Sequence, residues 1–550
     1  MAPHFYVVAG DKGMEPRVDG GRFRVKKPRE PLDVDFILSV DRCLMSNHHG
    51  KVFIGFAATG PAIGVPERVW RWISCPAPKV DRFGRPFVAP YALRKLEAAL
   101  QDAGFKAHVI DPDYVPYYVL HGAKALMIGH HDYFAYGPPS NEWWLLTGRE
   151  PVNRRSFIRF ISRPEIWEAK KRGLKIVVGG PAVWQWEADK EALKKWPVDT
   201  LVEGEADKVI VKIAQKILDG EELPRKIVIP PQESPRIEEI PDIKRPSVGG
   251  LVEIMRGCPR GCKFCSVTLR PLRFMPLEKI EREILVNMRA GNRNVLLHSE
   301  DVPLYGADVV RPREEPLIKL HKMVARYLEE YEAGFAWSHA SLAAVKYAQE
   351  HGRIISKIVD LVLDGDVRKF FGAEVGIETG SPRLAREIMP AKAAPYPVEK
   401  WPDVVEDAFS IMADNNIIPA ATYILGLPGE REDDVYATIE LIERLKGYPS
   451  LIVPMFFVPM GALKNMEGFK RTQIKHYHIE AMVVSAKHSI RWAKWIINRG
   501  YLNKPQHAPL RMLLSYFIRY AERKIEEFIR SKGEELGVRR EVLSQVVRTS

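Results

Sequence analysis

The chain is poor in cysteine, with five in 550 residues. That scarcity argues against a disulfide-framed scaffold and for a reducing compartment. No apolar run reaches the roughly 18 residues that a membrane helix needs, so no segment reads as a span. The opening residues, Met-Ala-Pro-His-Phe-Tyr, lack the charged and apolar regions of a secretory signal, and a cytoplasmic location is expected. Internal repeats and low-complexity stretches are also missing. Charge is not scarce. Lysine and arginine number 82 against 70 acidic residues, a net +12. The excess is spread along the chain with both signs mixed, so it permits a nucleic-acid or anionic-membrane partner without requiring one.

Three of the five cysteines stand together. Cys258, Cys262 and Cys265 lie in Arg-Gly-Cys-Pro-Arg-Gly-Cys-Lys-Phe-Cys, a C-x3-C-x2-C spacing. Three thiolates on one short loop can hold three irons of a [4Fe–4S] cube. No fourth cysteine stands nearby, so one iron is left open to a substrate or cofactor. A structural zinc site takes four closed ligands, commonly as paired C-x2-C units, and no second pair exists here. Cys43 and Cys75 lie far from the loop and read as buried small hydrophobes, with a metal or disulfide role the lesser alternative.

Length allows three or four domains. Residues 1–45 are polar and basic, with Lys-Lys-Pro-Arg at 26–29, and read as an irregular extension. Residues 46–222 alternate strand and helix signals: strands are predicted at 51–56, 107–111, 123–129, 174–180 and 198–205, with helices at 91–100 and through Val209, Ile213 and Ile217. Five strands with intervening helices imply a doubly wound parallel sheet, which takes ligands at the carboxyl ends of its strands. The six prolines within 219–250 mark a linker, placed at 223–250. A second α/β region, 251–462, has strands predicted at 251–255, 294–298, 332–337, 371–377, 420–425 and 451–458. Residues 463–550 read as helical, with amphipathic stretches at 479–498 and 510–532.

The cysteine loop, with the aromatic Phe264 before its last cysteine, resembles that of the radical S-adenosylmethionine (radical SAM) superfamily. So do Gly372-Ala-Glu-Val-Gly-Ile-Glu-Thr-Gly-Ser on the fourth strand and Gly426-Leu-Pro-Gly-Glu after the fifth. The resemblance covers about residues 245–461 and implies a partial (β/α)6 barrel. It implies a [4Fe–4S] cluster on Cys258, Cys262 and Cys265, whose open iron is chelated by the methionyl end of S-adenosylmethionine. One electron then cleaves the sulfonium and releases a 5′-deoxyadenosyl radical. By the same resemblance Glu300, with Asp301 its competitor, holds the cofactor's amino group. Glu378 lies near the ribose or substrate, Arg383 pairs with the carboxylate if it reaches back, and the backbone at Gly426 and Gly429 meets the adenine. His339, after the third barrel strand, is expected to face the barrel top and touch substrate. Glu374 is expected on the same side as Glu378 and about 13 Å lower.

The first sheet resembles the cobalamin-binding domain that precedes the barrel in a large radical SAM subgroup. Ile176-Val-Val-Gly-Gly-Pro-Ala and Asp199-Thr-Leu-Val-Glu-Gly-Glu carry that resemblance. It implies cobalamin as a further cofactor, with Gly179 and Gly180 admitting its nucleotide tail; some relatives keep the fold and bind none. The loop from Gly129 to Ser140 is expected to overlie such a ligand, placing His130 and Tyr133 beside it. No Asp-x-His-x-x-Gly segment follows the strand predicted at 51–56, so no lower-ligand histidine is expected from that motif. Implied partners are a small-molecule or lipid substrate and an electron donor such as ferredoxin or flavodoxin. The activities implied are methyl transfer, or carbon–carbon bond or ring formation on a lipid. RNA modification is a further alternative, although residues 463–550 contain no recognisable RNA-binding module.

Overall fold

The computed structural model describes residues 25–50, 52–364 and 369–498, with scattered positions between 508 and 527. Most of the amphipathic stretch expected at 510–532 and the first 24 residues lie outside the described residues. The chain divides into two compact units: Met1–Val252 with Met275–Val295, and Glu253–Phe274 with Leu296–Ser550.

Among the described residues of the first unit, the strands are β1 (Phe36–Ser39), β2 (Ala107–Val109), β3 (Ala125–Gly129), β4 (Lys175–Gly179), β5 (Thr200–Glu203) and β6 (Lys226–Val228). They form one parallel sheet in the order β2-β1-β3-β4-β5-β6. Strand β1 sits between β2 and β3, with Phe36 opposite both Ala107 and Ala125. Its four residues, Phe-Ile-Leu-Ser, are buried, as a strand covered on both faces must be.

Three sequence expectations are corrected here. The first strand is 36–39, inside the stretch read as an irregular extension, whereas Val52–Thr59 is a 3-10 helix. An unbroken apolar run does not distinguish helix from strand by periodicity, and β1 is short and follows a polar run. The proline-rich stretch read as linker contributes the edge strand β6, which its neighbour β5 pairs through Leu201 and Lys226. A third correction concerns Cys43 and Cys75, which are joined as a disulfide spanning 32 residues.

The helix Leu277–Arg289 groups with this unit. Its Glu283 carboxylate accepts from Lys95 Nζ at 2.5 Å, Tyr91 Oη at 2.5 Å and Ile243 N–H at 3.0 Å. A buried carboxylate needs such a full set of donors.

In the second region β7 (Leu251–Glu253), β10 (Asn294–His298) and β11 (Gly334–Trp337) form a sheet ordered β11-β10-β7. Strands β12 (Phe371–Glu378), β13 (Ile417–Leu425) and β14 (Leu451–Phe456) form a second, ordered β12-β13-β14. A parallel bridge between His339 and Glu374 joins the run β11 to β12. Alternating strands and helices in this order give the partial α/β barrel expected from the sequence. A small antiparallel pair, β8 (Met255–Arg256) with β9 (Arg273–Phe274), was not anticipated. The long helix His476–Ile496 follows the barrel strands. No described helix is long and apolar enough to cross a membrane.

Gly250 shows how tightly the first unit packs. Its φ is +67°, and a Cβ there would collide with the carbonyl of Asn294. Gly250→Ala is therefore expected to destabilise the fold by at least about 1–3 kcal/mol, the range for a non-glycine residue forced left-handed. Chemical denaturation of the purified variant measures it.

Candidate functional site

The cysteine loop leaves β8 and returns on β9, and the pairing of Met255 with Phe274 and Arg256 with Arg273 pinches it shut at the base. Gly257, at φ +84°, makes the first turn, where a Cβ would lie 2.6 Å from Pro271 O. Inside the loop Cys265 N–H donates to Cys262 O at 3.1 Å and Thr268 Oγ1 donates to Cys265 O at 2.9 Å. Lys263 N–H donates to Ile388 O at 2.9 Å, and Lys263 O accepts from Ala462 N–H at 2.8 Å. Gly461 lies flat on the loop, since a Cβ would stand 2.6 Å from Cys265 O. Phe264 packs with Leu384, Ile388, Leu427 and Phe457.

Arg260, between the first two cysteines, anchors the whole loop. It is 2% exposed. Nε donates to Asp301 Oδ2 at 3.3 Å, Nη2 to Ser341 Oγ at 2.7 Å, and Nη1 to the carbonyls of Lys392 at 3.0 Å and Ala394 at 2.8 Å. Asp301 is fully buried and also accepts from Ser341 N–H at 3.0 Å. One guanidinium thus ties the cysteine loop to the ends of β10 and β11 and to the segment after β12.

Burial pushes the Cys258 thiol up to about 12 and the Cys262 thiol up to about 11, and raises that of Cys265. Without a ligand these thiols stay protonated at neutral pH; coordination deprotonates a thiol outright. Cations are positioned to accept the resulting negative charge. Burial works against a charge on Lys392, but Glu378 and the thiols of Cys262 and Cys258 hold its pKa above the ordinary lysine value. The side of Gly261 where a Cβ would point is open for 4 Å. Among the described residues no group of three His, Cys, Asp or Glu converges on a single ion; thiolates that each take a different iron of a cube need no common point. The donor set and its cations therefore fit a cluster on Cys258, Cys262 and Cys265.

Around the loop, the sequence-derived positions separate into free and committed groups. Glu300 has no hydrogen-bond or ion-pair partner among the described residues, and its charge acts on Cys265 and His339. Its competitor Asp301 is consumed by Arg260. Glu378 ends β12 at a bulge with φ +61°, buried, its Oε1 3.0 Å from Lys392 Nζ. Such a left-handed non-glycine residue is characteristic of a constrained site. Its side chain folds back over Gly376, into the space an added Cβ would take. The Thr379-Gly-Ser turn behind it packs on a helix: a Cβ at Gly380 would lie 2.5 Å from Ala437 O.

Arg383 is held by Asp434, Glu387 and Gly429 O, so its guanidinium is already committed. Gly426, at φ +77°, has the ring of Phe469 where a Cβ would go. The flat group that requires this glycine is therefore a side chain of the protein itself. Gly429 has φ +81° and Glu387 alongside. His339 Nε2 lies 3.2 Å from Glu374 Oε2. Burial opposes charge on both, yet each stabilises the other, holding the His339 pKa above and that of Glu374 below its ordinary value. Water reaches 38% of the His339 side chain and 49% of Glu374, while Ala373 and Val375 on the opposite strand face are buried. The pair thus lines an open interior with His298, whose ring is 6.1 Å from that of His339. The sequence reading did not connect Glu374 with His339, because the bridge between their strands is a tertiary contact.

At the carboxyl edge of the N-terminal sheet, β1 neighbours both β2 and β3, which is its topological switch point. His130 follows β3 and is fully committed there. Its Nδ1 accepts from Asp132 N–H at 2.8 Å, so Nε2 carries the proton donated to Asp41 Oδ1 at 2.8 Å. Burial disfavours the Asp41 carboxylate, but His130, Ser156 and the Cys43 N–H outweigh it and hold its pKa low. Tyr133 is fully buried, its hydroxyl donating to Gly179 O at 2.6 Å. Gly179 and Gly180 face the protein's own backbone: a Cβ would stand 3.2 Å from Val202 O at the first and 2.7 Å from His130 O at the second. His130, Tyr133 and the glycine pair therefore build this edge. His131, by contrast, is exposed, its ring centroid 5.4 Å from that of His130. The loop after the true first strand, Val40–Gly50, contains Asp41, His48 and His49 but not the Asp-x-His-x-x-Gly spacing.

Residues 252–442 match the family model of the Radical SAM superfamily. With the cysteine loop and partial barrel, this makes residues 252–442 a radical SAM domain. The chain is 24% identical over 282 residues to a tRNA-2-methylthio-N(6)-dimethylallyladenosine synthase of Orientia tsutsugamushi (strain Boryong), covering 51% of this chain and 58% of that one. It is 27% identical over 197 residues to the ribosomal protein uS12 methylthiotransferase RimO of Thermotoga maritima, covering 36% and 41%. The chain spans about half the length of the curated relatives it matches. Its fold is similar to that of the radical S-adenosylmethionine methyltransferase TsrM from Kitasatospora setae, solved with cobalamin and a [4Fe–4S] cluster bound. That match has a TM-score of 0.50 and 13% identity, and it covers 78% of this chain and 77% of that one.

Arg260→Ala takes the guanidinium away from Asp301, Ser341 Oγ and the carbonyls of Ala391, Lys392 and Ala394. It is expected to cost about 3–5 kcal/mol, as breaking a buried pair does, and to lower iron retention. Anaerobic thermal melts with iron analysis measure both. The pH behaviour of His339 is a second check. A raised pKa means that its stabilising pairing with Glu374 is fully present below the ordinary histidine pKa and is lost as pH rises through the folded value. NMR titration should give a His339 midpoint above the ordinary value, and Glu374→Gln should lower it.

Proposed function

We propose that the protein reductively cleaves S-adenosylmethionine at a [4Fe–4S] cluster and uses the 5′-deoxyadenosyl radical to functionalise an unactivated carbon, by corrinoid-dependent methyl transfer. The observation carrying the cleavage step is the clamped triad of thiols, Cys262 buried and Cys258 and Cys265 half-buried, with Lys392 and the unpaired Glu300 around it. When bound, the cluster supplies one electron to the sulfonium. Cys258, Cys262 and Cys265 would hold it, while Arg260 keeps their loop in register with the strand ends. Glu300 would take the cofactor's ammonium by a charge-assisted hydrogen bond. Lys392 offers its carboxylate a cation, in competition with Glu378. Glu374 and His339, lining the barrel interior, would orient a polar group of the substrate.

Support for the methyl-transfer reading is the likeness to TsrM and the topological switch point of the N-terminal parallel sheet. When bound, a corrinoid would relay a methyl group from a second S-adenosylmethionine. Per product the balance is two S-adenosylmethionine and two electrons, giving methionine, 5′-deoxyadenosine and S-adenosylhomocysteine. The substrate carbon loses a hydrogen atom to the adenosyl radical and gains a methyl. A low-potential protein such as ferredoxin or flavodoxin would supply the electrons. A second reading, modification of RNA or a ribosomal protein, is favoured by the names of the methylthiotransferase relatives.

Reconstituted and reduced protein is expected to form 5′-deoxyadenosine. Replacing Cys258, Cys262 and Cys265 together with alanine should remove both iron and cleavage; iron content unchanged in that variant would sink the cluster assignment. Corrinoid uptake by the wild-type protein separates the methyl-transfer reading from cluster chemistry alone.

A further inference from the structure

We propose that the barrel interior selects a substrate that enters by an amino group, which Glu374 receives, and that lays an apolar body along β13 and β14. This rests on the reading above that the chemistry takes place in the barrel, and it adds the class of molecule. Strand register fixes which residues share a face. Glu374 lies opposite Ala420, Thr422 opposite Val453, and Ile424 opposite Met455. Residues opposite one another in a ladder, and those two apart along a strand, point to the same side. The other side of β13, with Ala421, Tyr423 and Leu425, is buried, and the Tyr423 hydroxyl is 3.1 Å from that of Ser485 on the long helix. On the Glu374 side, Ala420, Thr422, Ile424, Val453 and Met455 are only half-buried and Glu374 is exposed. That side therefore lines the open interior.

Its polar groups gather at one end. Glu374 Oε2 faces His339 Nε2 at 3.2 Å, and Oε1 has no partner among the described residues. A carboxylate oxygen only accepts, so whatever completes it must donate. His339 cannot turn to do so, because its Nδ1 is engaged with Ser299 O at 3.2 Å and Ser338 Oγ at 3.1 Å. His298 ends β10 with its ring 6.1 Å from that of His339, and neither of its nitrogens has a hydrogen-bond partner among the described residues. Burial keeps that ring neutral, and the carboxylates of Glu253, Glu300 and Glu374 act on it against His339. Glu253 is matched by Arg256 Nε at 2.7 Å and Glu374 by His339, so Glu300 leaves the surroundings net negative. A positive amino group suits such a place, and a carboxylate or phosphate does not. Its several N–H donors serve both Glu374 Oε1 and the unprotonated nitrogen of His298. Away from Glu374 the wall turns apolar, with Ile424, Val453 and Met455 and the single hydroxyl of Thr422. Two strand spacings, roughly 10 Å, separate β12 from β14, which is room for a short hydrocarbon chain or a ring.

The test is ligand-observed NMR on the cluster-reconstituted full chain with a matched pair of probes, phenylbutylamine and phenylbutyrate, which differ in the charge and donors of one end. The amine is expected to bind roughly tenfold or more tighter than the acid, as one charge-assisted hydrogen bond discriminates. Glu374→Gln is expected to abolish that preference, and Glu374→Asp to keep it. Ala420→Phe fills the wall beside Glu374 and is expected to exclude the amine without altering a polar group. Acid bound as tightly as amine, binding of neither probe, or amine binding unchanged in Glu374→Gln and Ala420→Phe would each overturn the inference. Formation of 5′-deoxyadenosine is measured on the same preparations without probe. Wild-type protein that binds the amine but cleaves no S-adenosylmethionine would overturn the proposed function and leave the amine site standing, and cleavage without amine preference would do the reverse.

Discussion

The cysteine loop depends on Arg260. A loop of 16 residues between two short strands would otherwise be free to choose among many shapes, and ordering each residue costs about 1–2 kcal/mol of backbone entropy. The guanidinium removes that freedom by binding outward, to Asp301, Ser341 and the carbonyls of the 391–394 segment. Its delocalised charge and forked donors let one side chain serve several acceptors in a dry setting, which a lysine cannot do. The thiols inherit their position from contacts that involve none of their own atoms.

Charge at the barrel mouth follows from the same geometry. Carbonyls of residues 391–394 point at Arg260, and this brings Lys392 beside Glu378 and the thiols. Glu300 and Asp301 are adjacent in sequence yet have opposite fates. Asp301 turns inward to neutralise the clamp, and Glu300 is left unpaired toward Cys265 and His339. One carboxylate holds the loop, and its neighbour is available to a ligand.

The edge of the N-terminal sheet repeats this division of labour between consecutive residues. His130 is fully buried against Asp41, and His131 projects free. In both places a buried hydrogen-bonded pair fixes the backbone so that the next side chain can face outward. The glycines at these edges serve packing of the protein upon itself: Gly180 admits the backbone of His130, and Gly426 admits the ring of Phe469.

The sequence alone determined the cysteine spacing, the alternation of strands and helices and the barrel strands, because each depends on local order along the chain. Strand β10 lies at Asn294–His298, where alternation placed it. The tertiary structure decided the rest. It put the first strand at Phe36–Ser39 because that short run alone pairs with both Ala107 and Ala125, a property invisible to periodicity. It joined Cys43 to Cys75, brought Glu374 of one strand to His339 of another, and committed Arg383 to Asp434. Sequence names the groups able to do chemistry. Whether a charge is left free or consumed depends on which distant partner packing brings within hydrogen-bond reach, and only the folded chain sets that distance.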